Sequence, residues 1–457
     1  MSESPPAPAP AAPLPDAVVR SSLRMSVRDG IAWSVMVGAG ERYISPYIIL
    51  GGSGPFALAG VSILPGLLSV LVQWFSANFT DIFRRRKLIF TASSALQALT
   101  WIPLSVSIFL PEPTGYLLML AAFTLYLGLH SFGVPAWTST MGDLVPPAER
   151  GRYFGVRNLL MGAATLVAYF LGGWWLAYCR QTPDALWFGV PGSQFGFLSL
   201  FVLAGLARVV SVWYLSRMTE PPYTPQSEDR FSLLDFIRRA PRAHFGRFVF
   251  YCALVHVGGG VVGPFFNWHL LNNLGLDTGR FAVLGTTEML VYFATQAAWG
   301  RLADRIGNKR VLTLGGVGVV GIPALLALSD DYWYLLAVQV YDGLVWSAFN
   351  IASANYVFDI VTPNKRGRCS TYHALFMTAG ASLGILIGAT LVHAWPGPFT
   401  FAGVTVPHAF KLICLVSTVL RIIPNVLLLH TFEEWRLREK PYPWPPPSTG
   451  PGDRPAA

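Results

Sequence analysis

Long runs of residues with almost no charge recur along this chain, and they restrict its fold more than any other feature. The stretches 57–77, 88–110, 116–141, 247–268 and 311–328 each hold few or no charged side chains. Each is close to the roughly 20 residues that a helix needs to cross about 30 Å of hydrocarbon. Composition agrees. Charged residues are 12% of the chain and hydrophobic ones 53%, against roughly 25% charged in a typical soluble domain. That is too little charge to coat a water-facing surface. An exterior that faces lipid removes the shortfall.

Twelve spans are expected, near 28–50, 57–80, 88–110, 115–140, 153–179, 195–216, 247–271, 280–298, 311–329, 333–357, 371–393 and 407–430. The loops on one side of this arrangement, with the two termini, carry 27 of the 33 Lys and Arg residues. The intervening loops hold almost none beyond Arg180 and Arg280. This is the positive-inside bias. It makes the net charge of +9 a topology signal, not a footprint for nucleic acid. The expected placement is a multi-pass protein of the plasma (inner) membrane with both termini cytoplasmic, a monomer in the lipid bilayer. Residues 1–27 read as a disordered cytoplasmic tail, Pro/Ala-rich at its start and with no cleavable signal peptide. Cys179, Cys252, Cys369 and Cys414 show no CxxC spacing, so neither a zinc site nor a disulfide framework is suggested. No metal or cofactor is expected.

The chain repeats itself. Residues 143–152 read DLVPPAERGR and residues 359–368 read DIVTPNKRGR, identical at six of ten positions. The register of 216 residues continues through Met161/Met377, Ala163/Ala379 and Gly172/Gly388. Arg208/Arg421 and Pro46/Pro264 correspond at nearly the same offset. A duplicated six-helix unit explains this economically. The expected layout is an N-terminal half at 28–216, a cytoplasmic linker at 217–246, a C-terminal half at 247–431 and a tail at 432–457. In the linker, Ser232 to Arg239 offers a short helix with Phe231, Leu234 and Ile237 on one face.

After span 8 comes Gly300-Arg301-Leu302-Ala303-Asp304-Arg305-Ile306-Gly307-Asn308-Lys309-Arg310. This resembles the signature G-x-L-A-D-R-x-G-x-K/R-R/K of the major facilitator superfamily, matched at every position. The equivalent loop of the first half is degenerate: Asp81 keeps the acid and Arg86-Lys87 the basic pair, while Ala77 and Arg84 replace the glycines. The segments around Asp143, Arg150 and Arg152, and around Asp359, Arg366 and Arg368, are also similar to those of the superfamily. The resemblance implies an all-α integral membrane fold, with twelve transmembrane helices in two pseudo-symmetric six-helix halves. Glycines permit a tight turn, and Arg305, Lys309 and Arg310 hold the loop at the anionic inner leaflet. An aspartate at a helix end accepts hydrogen bonds from the N–H groups at the start of a neighbour. The resemblance implies that Asp304 does so towards span 5 and Asp81 towards span 11, as a latch between conformations. The alternative is that the loop only sets topology.

Charges inside the membrane are costly, at roughly 2.5–3.5 kcal/mol each on insertion scales. Glu41 and Arg42 lie in span 1, about 100° apart around the helix, so they serve different neighbours. Asp342 lies at similar depth in span 10, with Gln339, Trp346 and Asn350 on its face. The resemblance implies a central cavity lined by spans 1, 4, 7 and 10. Glu41, Arg42, His130, His256, Asp342 and Asn350 are therefore the candidates for solute or proton binding, against ion pairing that merely stiffens the bundle. Glu288 is a weaker candidate. Arg208 and Arg421, on spans the resemblance makes peripheral, read as structural.

The GxGxxG string at Gly316–Gly321 and the GxSxG string at Gly380–Gly384 sit inside apolar spans, without the strand-turn-helix setting their chemistry needs. Gly380, Gly384 and Gly388 instead form a small-residue face for close helix packing. Asn78-Phe79-Thr80 matches a glycosylation acceptor but lies at the cytoplasmic edge. Span 4 lacks the arginine of many proton-coupled members, and Gly172-Gly173 in span 5 lack the proline of many drug antiporters, which argues against drug/proton antiport and leaves the coupling ion open. The expected function is movement of a small solute by alternating access, coupled to protons or another ion. An uncoupled facilitator and a transport-inactive receptor or scaffold remain alternatives. No nucleophile–base pair points to an enzyme.

Overall fold

A computed structural model of the protein describes residues 15–83, 85–146, 150–182, 185–221, 236–238, 240, 243–361, 366–395, 398–401, 404–406 and 408–433. The first span is α1 (Asp16–Ala39), continued after a break by α2 (Ile44–Leu50). Spans 2 to 6 are α3 (Pro55–Phe83), the pair α4 (Arg86–Leu99) and α5 (Trp101–Val106), α6 (Thr114–Leu144), α7 (Arg150–Gln181) and α8 (Gly192–Ser216). Spans 7 to 12 are α9 (His244–Trp268), α10 (Thr278–Ile306), α11 (Asn308–Leu326), α12 (Tyr332–Ile360), α13 (Arg366–Ala394) and α14 (Ala409–Leu427). Among the described residues, ten helical stretches are long and apolar enough to cross a membrane. The first and eighth spans are not among them; they hold Asp29, Glu41 and Arg42, and Glu288. Apolar side chains such as Leu159, Trp174 and Val426 stand exposed on the outside of the bundle, as a lipid-facing surface requires.

The first helix begins at Asp16, inside the stretch to residue 27 expected to be a disordered tail. Its polar residues are not solvated. Ser22, Ser26 and Asp29 are buried against the N-terminal half. Tyr153 Oη donates to the Leu23 carbonyl at 3.1 Å, and Thr219 N donates to Ser22 Oγ at 3.0 Å. A run held by polar contacts carries no apolar signature. In the linker, the expected face through Phe231 and Leu234 lies outside the described residues. Phe236, not Ile237, is the buried side chain there, packed among Phe245, Tyr372 and Phe376.

The two six-helix units meet along α3 against α13 and α7 against α10. They also meet at the end opposite the basic loops, where α2 packs on α9. There Thr278 Oγ1 donates to the Gly173 carbonyl at 3.2 Å, and a side chain on Gly173 would collide with Ala282. The expected glycine face is present: Gly380, Gly384 and Gly388 of α13 rest on the carbonyls of Ala253, Val257 and Val261 in α9. Both false motif strings lie within helices, α11 and α13. Two short antiparallel hairpins precede the last helix of each half: β1 (Leu186–Trp187) with β2 (Val190–Pro191), and β3 (Phe399–Phe401) with β4 (Val404–Val406).

Candidate functional site: a charged cavity between the halves

α1 ends at Gly40, where a side chain would overlap the Trp101 ring and Ala204. The chain then makes a 3₁₀ turn through Glu41, Arg42 and Tyr43 before α2 resumes. Tyr43 Oη is tied to the Tyr169 carbonyl of α7. The turn sends the two charged neighbours apart. Glu41 Oε2 accepts from Tyr126 Oη at 2.8 Å, inside the N-terminal half, whereas Arg42 faces a cavity of about 430 Å³.

That cavity draws Arg42 and Tyr169 from one half and His256, Glu288, Gln339, Asp342, Trp346 and Arg421 from the other. Room for it comes from α9, where Gly263 has open space where a side chain would stand and Gly259 faces Trp346. Among the described residues, Asp342 Oδ1 and Gln339 Oε1, one turn apart on α12, have no hydrogen-bond partner. Neither does Nε of Arg421, which donates from Nη1 to the Val319 carbonyl and lies 5.7 Å from the centre of the Trp346 ring. His256 Nδ1 is 2.8 Å from the Cys252 carbonyl. A carbonyl can only accept, so this nitrogen carries the proton. Two guanidiniums and two carboxylates therefore share one chamber with unspent donors and acceptors. Such groups bind a polar solute because each gains a partner it lacks.

Of the six candidates from the sequence, the structure brings Arg42, His256 and Asp342 to this cavity. Glu41 turns to Tyr126, and Asn350 Nδ2 donates to Tyr292 Oη at 3.3 Å. His130 stacks on Trp33, centroids 5.5 Å apart, in a different cavity. Arg208 and Arg421 are not peripheral: each reaches inward and lines a cavity. The signal that could have found Arg421 is its repeat across the halves, which snorkelling does not explain.

At the basic end, Gly307 adopts a left-handed φ of 97°, a conformation that favours glycine. It closes α10 and opens α11. Asp304, Arg305, Arg310 and Arg152 are exposed, and Asp304 makes no hydrogen bond or ion pair among the described residues. Gly300 has open space where a side chain would stand. Lys309 Nζ bonds the Leu429 carbonyl and lies 3.2 Å from the centre of the Phe432 ring. The side chains of Asp81, Arg150, Arg366 and Arg368 lie outside the described ones. The four cysteines are buried, and none forms a disulfide among the described residues.

The family model described as Major Facilitator Superfamily matches residues 34–255 and again residues 248–446. The multidrug resistance protein MdtH of Klebsiella pneumoniae (strain 342) is 24% identical over 184 residues, which are 40% of this chain and 42% of that protein. MdtH of Yersinia enterocolitica is 27% identical over 154 residues, 32% of this chain and 38% of that protein. The match thus spans about two fifths of the length of these curated relatives. Among solved structures, a mutant of the nucleoside transporter NupG superposes with a TM-score of 0.70 at 12% identity, covering 91% of this chain and all of that one. A bacterial homolog of the human lysosomal transporter Spinster, inward-facing and occupied, gives 0.66 at 14% identity over 92% of this chain and 98% of that one. At such identities the likeness is one of fold.

Proposed function

The chain belongs to the major facilitator superfamily, and from that premise we propose that it is a secondary transporter moving a small polar solute by alternating access. The observation that carries this reading is the central cavity, lined by Arg42 of one half and by Asp342 and Arg421 of the other. Two six-helix units, joined by the linker at 217–246, rock about that chamber. The end opposite the basic loops is packed shut by α2 on α9 and by Gly173 against Ala282. Exposed Asp304 at the basic end supports an unlatched state there. The basic end is the cytoplasmic one, by the placement of Lys and Arg. The membrane is then the inner membrane, and this conformation opens to the cytoplasm. On closure Asp304 docks on the start of α7, with Gly300 letting the helices approach. Energy comes from a gradient, with Glu288 and Asp342 as the groups that carry a coupling proton or cation.

A thermal-shift screen of the purified chain against solute classes at two pH values identifies the ligand. Uptake of that ligand is then measured in proteoliposomes. Each charged hydrogen bond is worth about 1.5–3 kcal/mol, so Asp342→Asn and Glu288→Gln weaken binding by about tenfold or more. Unaltered binding and uptake in both variants would sink the assignment of the cavity as the transport site.

A further inference from the structure

A second cavity, of about 230 Å³, lies wholly within the N-terminal half. Asp29 and Trp33 of α1, His130 and Trp137 of α6, Arg157 of α7 and Arg208 of α8 line it. Trp33 precedes Arg42 by nine residues, which sets this chamber about 13 Å nearer the basic end by helical rise.

The charges in it do not balance. Arg208 donates from Nη1 to Ser211 Oγ and from Nη2 to Ser94 Oγ, both at 2.7 Å, and its Nε has no partner among the described residues. Among the described residues, it reaches a carboxylate through Ser211, whose hydroxyl donates to Asp29 Oδ1 at 2.6 Å. Arg157 Nη2 stands 3.8 Å from Asp29 Oδ2, while its Nε donates to the Ser26 carbonyl at 3.3 Å. One carboxylate thus serves two guanidiniums, and the three residues are only 4% (Asp29), 7% (Arg157) and 4% (Arg208) exposed. Burying a cation without its counter-ion is unfavourable. Trp33 Nε1 is also without a partner among the described residues. The fully buried side-chain atoms of this lining that lack a partner among the described residues, Arg208 Nε and Trp33 Nε1, are both donors.

The walls are aromatic. Trp33 and His130 stack at an interplanar angle of 21°, and the Arg157 guanidinium lies 4.6 Å from the centre of the Trp137 ring. The C-terminal half argues against a purely structural duty. In the register of 216 residues, the counterpart of Arg157 is His373. It bonds Ser353 Oγ at 3.1 Å and stacks flat on Phe248, centroids 5.1 Å apart. One half folds with a neutral aromatic pair at the place where the other keeps a second arginine, so the fold itself does not demand that charge.

We propose that the N-terminal cavity is a second ligand site, which takes a small organic monoanion with a flat ring. The anion supplies acceptors to Arg208 and Trp33 and the missing negative charge, and the ring lies against the indoles. This site stands whether or not the central cavity carries a transported solute.

The test is isothermal titration of the full-length purified chain with 1-naphthoate and with its neutral analogue 1-naphthamide. Naphthoate should bind at least tenfold more tightly than naphthamide. Its affinity should fall tenfold or more in Arg208→Gln and severalfold in Trp33→Phe, and stay unchanged in Asp342→Asn. Should Arg208→Gln not fold, Trp33→Phe carries the test, since it keeps an aromatic wall and removes only the indole donor. Three outcomes overturn the proposal: no binding of naphthoate to the wild type, equal binding of the amide, or loss in Asp342→Asn with retention in Trp33→Phe.

Discussion

Arg86 Nη1 lies 2.6 Å from Asp143 Oδ2, and 216 residues after Asp143 the aspartate of the second repeat, Asp359, accepts from Asn308 Nδ2 at the same distance. In each half, the aspartate near the end of the fourth span is bonded to the first residue of the helix that opens the third. These are ties within a half. Among the described residues, Asp304 of the signature is exposed and makes no such tie. The two repeats thus share a clip between their third and fourth spans, and the proposed latch is left to Asp304.

The clip makes a stability prediction. The Arg86 side chain is 0% exposed, and besides Asp143 it holds Ser139 Oγ and the Pro221 carbonyl, each at 2.9 Å. Asp143 is 48% exposed, so water can replace what it loses. Arg86→Ala should therefore cost about 1.5–3 kcal/mol, with Asp143→Asn costing less. Thermal unfolding in detergent ranks the two. Equal melting temperatures for wild type and Arg86→Ala would show that the clip holds nothing.

Two glycines should respond in opposite ways. A side chain on Gly384 would run into the Val257 carbonyl, while one on Gly300 meets open space in this conformation. Gly384→Val should destabilise by about 1–3 kcal/mol, the usual cost of overpacking. Gly300→Ala should leave the melting temperature unchanged but slow uptake, because it obstructs only the latched state. If uptake by Gly300→Ala matches wild type, the latch needs no glycine there.

Acid should loosen the end opposite the basic loops. Asp330 lies in the loop before α12. Burial pushes its carboxyl up, but hydrogen bonds from Lys411 and His269, at 2.7 and 3.0 Å, together with their charges outweigh that and hold it below the ordinary value of 3.8. A carboxyl depressed on folding contributes stability above its unfolded value, and that stability is lost as pH falls through the folded one. Melting temperatures compared at pH 7 and near pH 3 should fall more in wild type than in Asp330→Asn. Parallel falls would remove Asp330 from the account.

The spans were legible because insertion into lipid is decided segment by segment, from apolar length and charge. The glycine face of α13 was legible because small residues at every fourth position share one side of a helix. The site was legible only in part. Arg42 and Glu41 were correctly expected to part, but the 3₁₀ turn after Gly40 changes the rotation per residue. Which of them faced the cavity could not be read from helical phase. That Arg421 lines the cavity was not legible, because depth along a helix says nothing of which way a long side chain reaches. The start of α1 was missed because serines and a buried aspartate hold it, and these leave no apolar period to find.

The sequence by itself determined a membrane protein of twelve spans, its duplication and the side that carries the basic loops. Each of these is a sum over neighbouring residues of transfer energy or charge, so no knowledge of distant contacts is needed. The tertiary structure alone decided which buried charges share a chamber, how the halves meet at the end opposite the basic loops and that Asp304 is exposed. Those outcomes turn on helix rotation and on contacts between residues more than a hundred positions apart, such as Gly173 with Thr278. A shift of a few ångströms there makes or breaks a hydrogen bond while leaving every local sum unchanged.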